Sequence, residues 1–298
     1  MFPAPEGVRG IGDDCAVIPR SDGVDTLVST DLLTEGVHFL RHRIEPRELG
    51  WKAAAVNLSD IAAMGGKPVG TFLSLAIPKD CDEGFIAQMM EGYADASRHY
   101  GTPLLGGDTC ASADALTLNV TVLGECPQGK ALLRSTALPG DAIYVTGTLG
   151  DSAAGLKALL EALPETPLTQ ALIRRHYHPV PRIAEGQQIA ACTKAGAAMD
   201  LSDGLASDLR HILKASGCGA SIDLKALPLS PELLEFCREY GADPLELALC
   251  GGEDYELLFT LRPGCAPPLP CSCIGRITSG KQLIWEGSER DFKGFEHF

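Results

Sequence analysis

The stretch KAAAVNLSDIAAMGG, residues 52–66, runs directly into KPVGTFLSLAIP, residues 67–78, and this pair of segments decides the fold. The first segment is rich in alanine and ends at two glycines, which predicts a helix over residues 49–64. The second is an apolar run that stops at a proline, which predicts a buried strand over residues 69–77. Helix and strand in direct succession are typical of α/β and α+β proteins.

The same alternation continues on both sides of this stretch. Further helices are predicted over 83–100, 151–163 and 202–216, and further strands over 26–29, 116–123 and 257–261. With 298 residues the chain suits two domains of roughly 150 residues each. Its 45% hydrophobic and 21% charged residues are those of an ordinary globular protein and exclude a disordered one.

Two short segments recur at nearly the same offset, about half the chain apart. VNLSDIAAMG (56–65) resembles MDLSDGLASD (199–208), and LLGGDTC (104–110) resembles LCGGEDY (249–255). Two pairs in register are harder to attribute to chance than one. The sequence therefore predicts two similar halves, a domain over 1–137 and a second over 138–298.

The charge balance restricts the class of ligand. The formal net charge is −14, from 39 acidic and 25 basic residues, and such a surface repels nucleic acids and anionic lipids. An anionic ligand would need a divalent cation between itself and the carboxylates. No apolar run is long enough to span a membrane. The odd count of eleven cysteines favours reduced thiols and a cytoplasmic protein, and the spacing of Cys265, Cys271 and Cys273 is not that of paired zinc ligands.

Acidic residues beside glycine, serine or threonine form six clusters, and these are the candidate metal ligands. Hard cations prefer several oxygen ligands, and glycine allows the backbone to turn around the ion. The alternative is that these carboxylates cap helices and close turns, as Asp203 could do at the start of a helix. Asp60 is not explained in that way, because it lies in the middle of an apolar helix with Asn57 one turn earlier.

Other catalytic signatures are absent. The chain has no GxxxxGK[ST] loop, no GxSxG elbow and no HExxH pair. The turn GTLGDSAAGL (147–156) either cradles an anion at a helix N-terminus or serves packing alone. His38 lies in an acidic loop where it could contact a substrate, whereas structural roles are favoured for His176 and His178.

Taken together, seven motifs resemble the thiamine-monophosphate kinase family of the aminoimidazole ribonucleotide synthetase superfamily. The most specific of them are STDLLTEGVHF (29–39), DLSDGL (200–205) and GGEDYEL (251–257). The resemblance runs from Gly10 to the C-terminus. It implies two α/β halves, each a mixed sheet with helices on one side, and a homodimer in which the N-terminal sheets pair. It also implies direct, Mg²⁺-assisted phosphoryl transfer from ATP to thiamine monophosphate, without a phosphoenzyme.

The resemblance also implies roles for individual residues. Asp60, Asp203 and Arg134 would be catalytic. The implied metal ligands are Asp14, Ser29, Thr30, Asp31, Asp60, Asp108, Asp200 and Asp203. The implied nucleotide contacts are Tyr100, Gly107, Asp108, Arg134 and Ser202, and the implied thiamine-side residues are His38, Glu253 and Phe295. In this reading the first half holds metal, ATP and the dimer contact, and the second half completes the active site.

Two other functions remain open from the sequence. The chain could be another ATP-dependent synthetase of the same superfamily, of the ligase-like or selenophosphate type, with a different acceptor. It could also be a nucleotide- or metal-binding module that kept the fold and lost turnover. The occupied acidic positions argue against the second alternative, and the EGVHF and GGEDYEL motifs argue against the first.

Overall fold

The structure is a computed structural model, and it describes residues 4–294. Phe295, the implied thiamine-side residue near the C-terminus, lies outside the described residues. Within that range the chain divides into two compact units, one of residues 4–61 and 66–131 and the other of residues 62–65 and 132–294. Among the described residues, no helix combines the length and the apolar character that crossing a membrane requires.

The first unit is a five-stranded mixed sheet with the strand order β1-β2-β5-β3-β4. Only β3 and β4 are parallel, and α2 connects them. The bounds are β1 (Ala16–Pro19), β2 (Val24–Thr34), α1 (Pro46–Ala63), β3 (Lys67–Pro78), α2 (Glu83–Tyr100), β4 (Leu104–Ser112) and β5 (Thr117–Pro127).

Helices α1 and α2 pack tightly because each has a glycine against the backbone of the other. A Cβ on Gly50 would lie 1.8 Å from the Met89 carbonyl oxygen, and one on Gly92 would lie 1.9 Å from that of Arg47. The tyrosine hydroxyl of Tyr93 donates to Thr71 Oγ1 (2.7 Å) and so ties α2 to the sheet. One face of the sheet is thereby buried, with alternate residues of β5 inside and the intervening ones partly exposed.

The second unit is a six-stranded mixed sheet with the strand order β11-β8-β10-β6-β9-β7. Its strands are β6 (Ala142–Val145), β7 (Ala195–Asp200), β8 (Gly219–Asp223), β9 (Leu257–Leu261), β10 (Ser272–Thr278) and β11 (Leu283–Glu286). Its helices are α3 (Asp151–Leu160), α4 (Pro167–Tyr177), α5 (Ile183–Ala191), α6 (Leu205–Ser216), α7 (Pro231–Tyr240) and α8 (Pro244–Cys250).

Helix α6 covers the larger core of this unit, in which its Leu209 and Ile212 pack with Met199 of β7. Ala198, the next residue along β7, belongs to a smaller cluster with Ile189 of α5, as the alternation of strand side chains requires. Both units are thus mixed sheets with packed helices, as the resemblance implied. The expectation of helices on one side only does not hold for the second unit, because α6 and α5 pack against opposite faces of its sheet.

The repeated segments of the sequence adopt different local structures. NLSD (57–60) lies inside helix α1, whereas LSD (201–203) lies in the loop between β7 and α6. Likewise GGD (106–108) is part of strand β4, while GGED (251–254) follows α8 as irregular chain. The likeness between the units is therefore one of general plan, and the echoed motifs do not occupy equivalent elements.

Candidate active site

The acidic site of the first unit is built where β2 passes α1. Ser29 and Asp31 lie two residues apart on β2 and so point to the same face of the sheet. The Ser29 hydroxyl donates to the Asp60 carboxylate of α1. The Asp31 backbone N–H donates to Asn57 Oδ1 (3.1 Å), and Asn57 Nδ2 donates to the Ala53 carbonyl (3.0 Å). The polar pair predicted on α1 therefore orients both the carboxylate and the strand beside it.

Asp14 adds a second carboxylate to this site. One of its oxygens lies within 4.8 Å of a carboxylate oxygen of Asp60, and Asp14 itself is buried. Burial and the neighbouring Asp14 raise the pKa of Asp31 to about 6. Carboxylates held this close repel each other, and a bound cation would relieve the repulsion. The donor set consists of oxygens alone, which suits a hard divalent cation such as Mg²⁺.

Thr30 and Asp108 lie elsewhere on the same sheet. Thr30 projects from the opposite face of β2, where its hydroxyl donates to the Val120 carbonyl (3.0 Å) and accepts from Asn119 Nδ2 (3.0 Å). Asp108 is exposed on the edge strand β4, in register with Ser74. Ser74 in turn pairs with Asn119, so the register places Asp108 on the same face as Thr30. Neither side chain joins the group around Asp60 within this chain's sheet.

The loop that carries His38 is anchored by Glu35, a residue that the sequence reasoning did not single out. Glu35 Oε2 accepts the Leu116 N–H (3.1 Å), and Glu35 Oε1 accepts from Arg41 Nε (2.9 Å). His38 Nδ1 accepts the Thr34 N–H (3.1 Å), which assigns the ring proton of the neutral imidazole to Nε2. The sequence signal for this anchor is the opposite charge of Glu35 and Arg41, which are six residues apart. That spacing alone does not distinguish a pair that anchors a loop from an ordinary surface ion pair.

Two sequence motifs of the second unit are built as one structure. The Glu253 N–H donates to the Ser202 carbonyl (2.7 Å), and the Tyr255 N–H donates to the Leu201 carbonyl (2.9 Å). Glu253 and Tyr255 both have positive φ angles, 57° and 50°, a conformation that costs free energy in non-glycine residues. The loops 200–204 and 251–256 therefore hold each other in shape, and they bring Ser202, Asp203 and Glu253 together.

Asp203 does not cap helix α6. The helix begins at Leu205, its N-cap is Gly204 with φ 99°, and no side chain caps it. The Asp203 N–H instead donates to Oδ2 of the buried Asp208 (3.1 Å). The capping explanation of this carboxylate was therefore wrong, because the chain turns one residue later than the Ser-Asp pattern suggested. Asp200 is buried at the end of β7, in register with Leu257.

The turn before α3 is closed by an internal carboxylate. Asp254 Oδ2 accepts the Gly150 N–H (2.9 Å), and Asp254 Oδ1 lies 3.5 Å from the Ser152 backbone nitrogen as a weaker acceptor. His176 is buried beside it, with Nδ1 at 3.0 Å from Ser152 Oγ and 3.2 Å from Glu253 Oε2. For the turn at residues 147–156, the structure favours a packing role over an anion-binding one. Asp254 already accepts the N–H groups of Gly150 and Ser152 that an anion would need.

The remaining candidates are placed singly. Tyr100 ends α2 and stacks at a tilt against Trp51, with ring centroids 5.8 Å apart. Gly107 lies on β4, where a Cβ would come within 1.7 Å of the Leu73 carbonyl oxygen. Arg134 begins a short 3₁₀ helix, and its carbonyl accepts from Ser216 Oγ (2.8 Å). Lys52, which the sequence reasoning did not consider, is a fully buried lysine on α1.

Comparison with known proteins places this arrangement in a family. The model for the N-terminal domain of AIR synthase related proteins matches residues 12–126, and the model for their C-terminal domain matches residues 139–284. The thiamine-monophosphate kinase of Escherichia coli K12 is 45% identical over 97% of this chain and 91% of the relative. The chain belongs to the thiamine-monophosphate kinase family.

Other members of the thiamine-monophosphate kinase family support this placement. That of Bacillus subtilis is 40% identical over 97% of this chain and 93% of the relative. A solved structure described as AaThiL complexed with AMPPCP and TMP superposes with a TM-score of 0.90 and 39% identity, covering 97% of this chain and 92% of the other. The fold of this chain is therefore that of its family.

Proposed function

We propose that this chain transfers the γ-phosphoryl group of ATP to thiamine monophosphate, giving ADP and thiamine diphosphate. The observation that carries the proposal is its likeness, over 97% of its length, to a kinase of the family that binds both AMPPCP and TMP. The acidic groups around Asp60 and Asp203 supply a chemical reason. Both reactants carry anionic phosphate groups, and carboxylates can hold the divalent cation that such groups need. Phosphoryl transfer depends on positioning and charge neutralisation more than on covalent chemistry.

The carboxylates around Asp60 are proposed to hold Mg²⁺. When bound, the cation would neutralise the charge of the phosphates against an acidic protein. Two unit charges about 4 Å apart repel by about 4 kcal/mol at an effective dielectric constant near 20, so this neutralisation is essential. Ser29 and Asn57 serve by orienting Asp60 and the strand at Asp31. Because a phosphate oxygen of the acceptor is already ionised near neutral pH, no general base is required.

The other residue roles are proposals of the same kind. Asp14 and Asp60 are the ligands for which the distance between carboxylate oxygens argues, and Asp31 is proposed beside them because it shares a face of β2 with Ser29. Thr30 would contribute through its backbone, because its side chain lies on the other face of β2. Arg134 would stabilise the transferring charge. The remaining proposed contacts are Asp108, Asp200 and Asp203 to metal, Tyr100, Gly107 and Ser202 to nucleotide, and His38 and Glu253 to the acceptor.

We also propose that the chain acts as a homodimer in the cytoplasm. On the sheet face opposite α1 and α2, Leu32 is 51% exposed and Phe72 is 39% exposed, among the polar side chains of Thr30, Asn119 and Asp108. Their rows in the sheet continue to the edge strand β4. A second copy of the same sheet is the occupant that the family resemblance implies for this face.

The experiment that tests the function is phosphorus NMR of the purified protein with Mg-ATP and thiamine monophosphate, with Asp60→Asn beside it. We expect thiamine diphosphate to appear, and Asp60→Asn to lower turnover by at least about a hundredfold, the scale of losing a key electrostatic contact. Asp114→Asn is the matched control, because that carboxylate is exposed in a loop. It should leave the rate within twofold.

Each outcome separates one part of the proposal from the rest. Nucleotide binding without product would reject thiamine monophosphate as the acceptor and direct a screen of other phosphorylated acceptors. A rate for Asp60→Asn within threefold of the unmodified enzyme at saturating Mg²⁺ would remove Asp60 from the metal site. Turnover that persists in excess chelator would reject the role of a divalent cation.

A further inference from the structure

Two thiols of the second unit lie in direct contact. The Sγ atoms of Cys192 and Cys265 are 3.3 Å apart, although the residues are far apart in the sequence. None of the eleven cysteines, all within the described range, forms a disulfide. Both thiols are half-buried, so a small reagent has access to them. This is the contact that two thiols make before they are joined by oxidation.

The backbone holds the two cysteines side by side. Strands β7 and β9 are antiparallel, with Ala195 opposite Leu261 at the end of the ladder. Pairing continues past that end, because the Arg262 N–H donates to the Lys194 carbonyl (3.0 Å). Cys192 lies three residues before Ala195, and Cys265 lies four residues after Leu261. Each is hydrogen-bonded within its own turn: the Ala195 N–H donates to the Cys192 carbonyl (3.1 Å), and the Cys265 N–H donates to the Arg262 carbonyl (3.2 Å).

Packing restricts the side chains as well. Both cysteines pack against the apolar cluster that contains Ile189 of α5 and Phe259 and Leu261 of β9. The hydrogen bond with Cys192 raises the pKa of the Cys265 thiol, and the nearby Lys194 opposes that shift. The thiolate is the reactive form of a cysteine in thiol–disulfide exchange.

The neighbourhood does not suit a metal ion. Cys271 packs against the same apolar cluster. Burial, followed by the nearby Cys273 and Cys271, raises the pKa of Tyr144. Within residues 4–294, however, no group of three or more potential ligands that are mutually close enough for a metal includes a cysteine. Structural zinc sites need four such ligands. The geometry therefore favours a two-thiol reaction over metal binding.

We propose that Cys192 and Cys265 form a redox-active pair that a low-molecular-weight disulfide converts to an intramolecular disulfide. The thiolate of one cysteine attacks a sulfur of the reagent, forming a mixed disulfide and expelling one thiolate of the reagent. The second cysteine gives up its proton and attacks the first, forming the S–S bond and expelling the other thiolate. Two protein thiols are oxidised, and one reagent disulfide is reduced to two thiols.

The position of the pair determines what oxidation should change. The bond would tie the start of the edge strand β7 to the end of β9, closing a long loop of chain. Asp200 lies at the far end of β7, five residues from Ala195 and therefore about 17 Å away. Oxidation should thus raise the melting temperature, by on the order of 5 °C, without altering the active residues. The inference does not depend on the proposed function.

The test uses oxidised glutathione as the reagent on the full chain, with Cys192→Ser, Cys265→Ser and the exposed Cys273→Ser as variants. We expect the loss of two titratable thiols, a mass lower by two hydrogen atoms, and a cross-linked proteolytic peptide that joins Cys192 to Cys265. The rise in melting temperature should be reversed by dithiothreitol. Cys273→Ser should behave like the unmodified protein.

The same measurements can overturn the proposal. Serine at 192 or 265 should abolish the cross-link and the thermal shift, and should leave a stable mixed disulfide on the remaining partner. A cross-link that involves Cys271 or Cys273, or one that persists in either serine variant, would contradict the assignment. So would retention of all thiols after incubation at a pH above 8, where a large fraction of exposed thiols is ionised.

Discussion

Asp60 and Asp254 are both carboxylates within the fold, but the structure uses them differently. Asp60 lies in the middle of α1, accepts the Ser29 hydroxyl and has a second carboxylate, Asp14, close by. Asp254 accepts backbone N–H groups at the start of α3 and so satisfies a helix end. The first arrangement concentrates negative charge for a cation, whereas the second places a buried carboxyl group against the backbone N–H groups at the start of α3.

The stability of the protein should depend on the ionisation of Asp254. Desolvation, together with the nearby charges of Asp151 and Glu256, raises the pKa of Asp254 well above its usual range, although the Gly150 N–H opposes the shift. A carboxyl group with a raised pKa binds more protons when folded than when unfolded. Its contribution is therefore greatest below the unfolded pKa of about 4 and is lost as the pH rises through the folded value.

We expect Asp254→Asn to be more stable relative to the unmodified protein at pH 8 than at pH 5. The amide cannot ionise, so the variant lacks the part of the pH dependence that this carboxyl supplies. Urea unfolding at the two pH values measures the difference, and Asp243→Asn is the control because Arg290 lowers the pKa of that residue. A relative stability of Asp254→Asn that is the same at both pH values would contradict the assignment.

At the scale of the element, the edge strand β4 depends on one of its two adjacent glycines. A Cβ on Gly107 would lie 1.7 Å from the Leu73 carbonyl oxygen, whereas one on Gly106 would meet only the Phe72 ring at 3.4 Å. The parallel pairing of β3 and β4 therefore requires glycine at 107 and tolerates a side chain at 106. Gly107 has a structural role whether or not it contacts nucleotide.

We expect Gly107→Ala to lower the free energy of unfolding by at least about 1–3 kcal/mol, the usual cost of overpacking. Gly106→Ala should change it by less than about 0.5 kcal/mol, as most substitutions at exposed positions do. Urea denaturation of the two variants gives the comparison directly. Equal stability of the two would mean that β4 shifts to accommodate the methyl group, and that Gly107 is needed for a ligand alone.

At the scale of the whole molecule, the net charge of −14 means that the carboxylates repel one another, and a bound cation with nucleotide should stabilise the native state. Binding to the native state alone adds about 2.7 kcal/mol at a ligand concentration 100 times Kd. Unfolding entropies are about 2.1 cal/mol/K per residue, so for 298 residues we expect Mg²⁺ with a non-hydrolysable ATP analogue to raise Tm by about 4 °C. Thermal melts with Asp60→Asn give the control, since that variant should lose most of the shift. No shift for the unmodified protein would indicate a solvated acidic surface.

The proposed dimer leads to a second prediction at this scale. Leu32→Glu should shift the protein from dimer to monomer, because it replaces an exposed apolar side chain with a charge on the sheet face that the second copy would cover. Leu234→Glu on α7 is a matched control, since Leu234 is 42% exposed and Leu32 is 51% exposed. Light scattering coupled to size-exclusion chromatography measures the mass of each variant. A monomeric unmodified protein, or an unchanged dimer for Leu32→Glu, would contradict the proposal.

Local sequence patterns predicted the elements well where the signal was local. Helix α2 has the predicted bounds 83–100, because Asp82 caps its start and Gly101 adopts the left-handed conformation at its end. The predicted strand 69–77 is part of β3, and the predicted helix 49–64 is α1 shifted by a few residues. Strand β2 extends well beyond the predicted 26–29, since pairing with β5 over its whole length supports residues of weak strand preference.

The sequence by itself determined the α/β class, the family and the acidic residues, because composition, capping and motif spacing are properties of neighbouring residues. Even the placement of Thr30 away from Ser29 follows from the period of two along a strand. Only the tertiary structure decided which distant groups meet. Asp254 reaches the start of α3, Asn57 reaches Asp31 and Cys192 reaches Cys265 because packed sheets and helices bring together segments that no local preference relates.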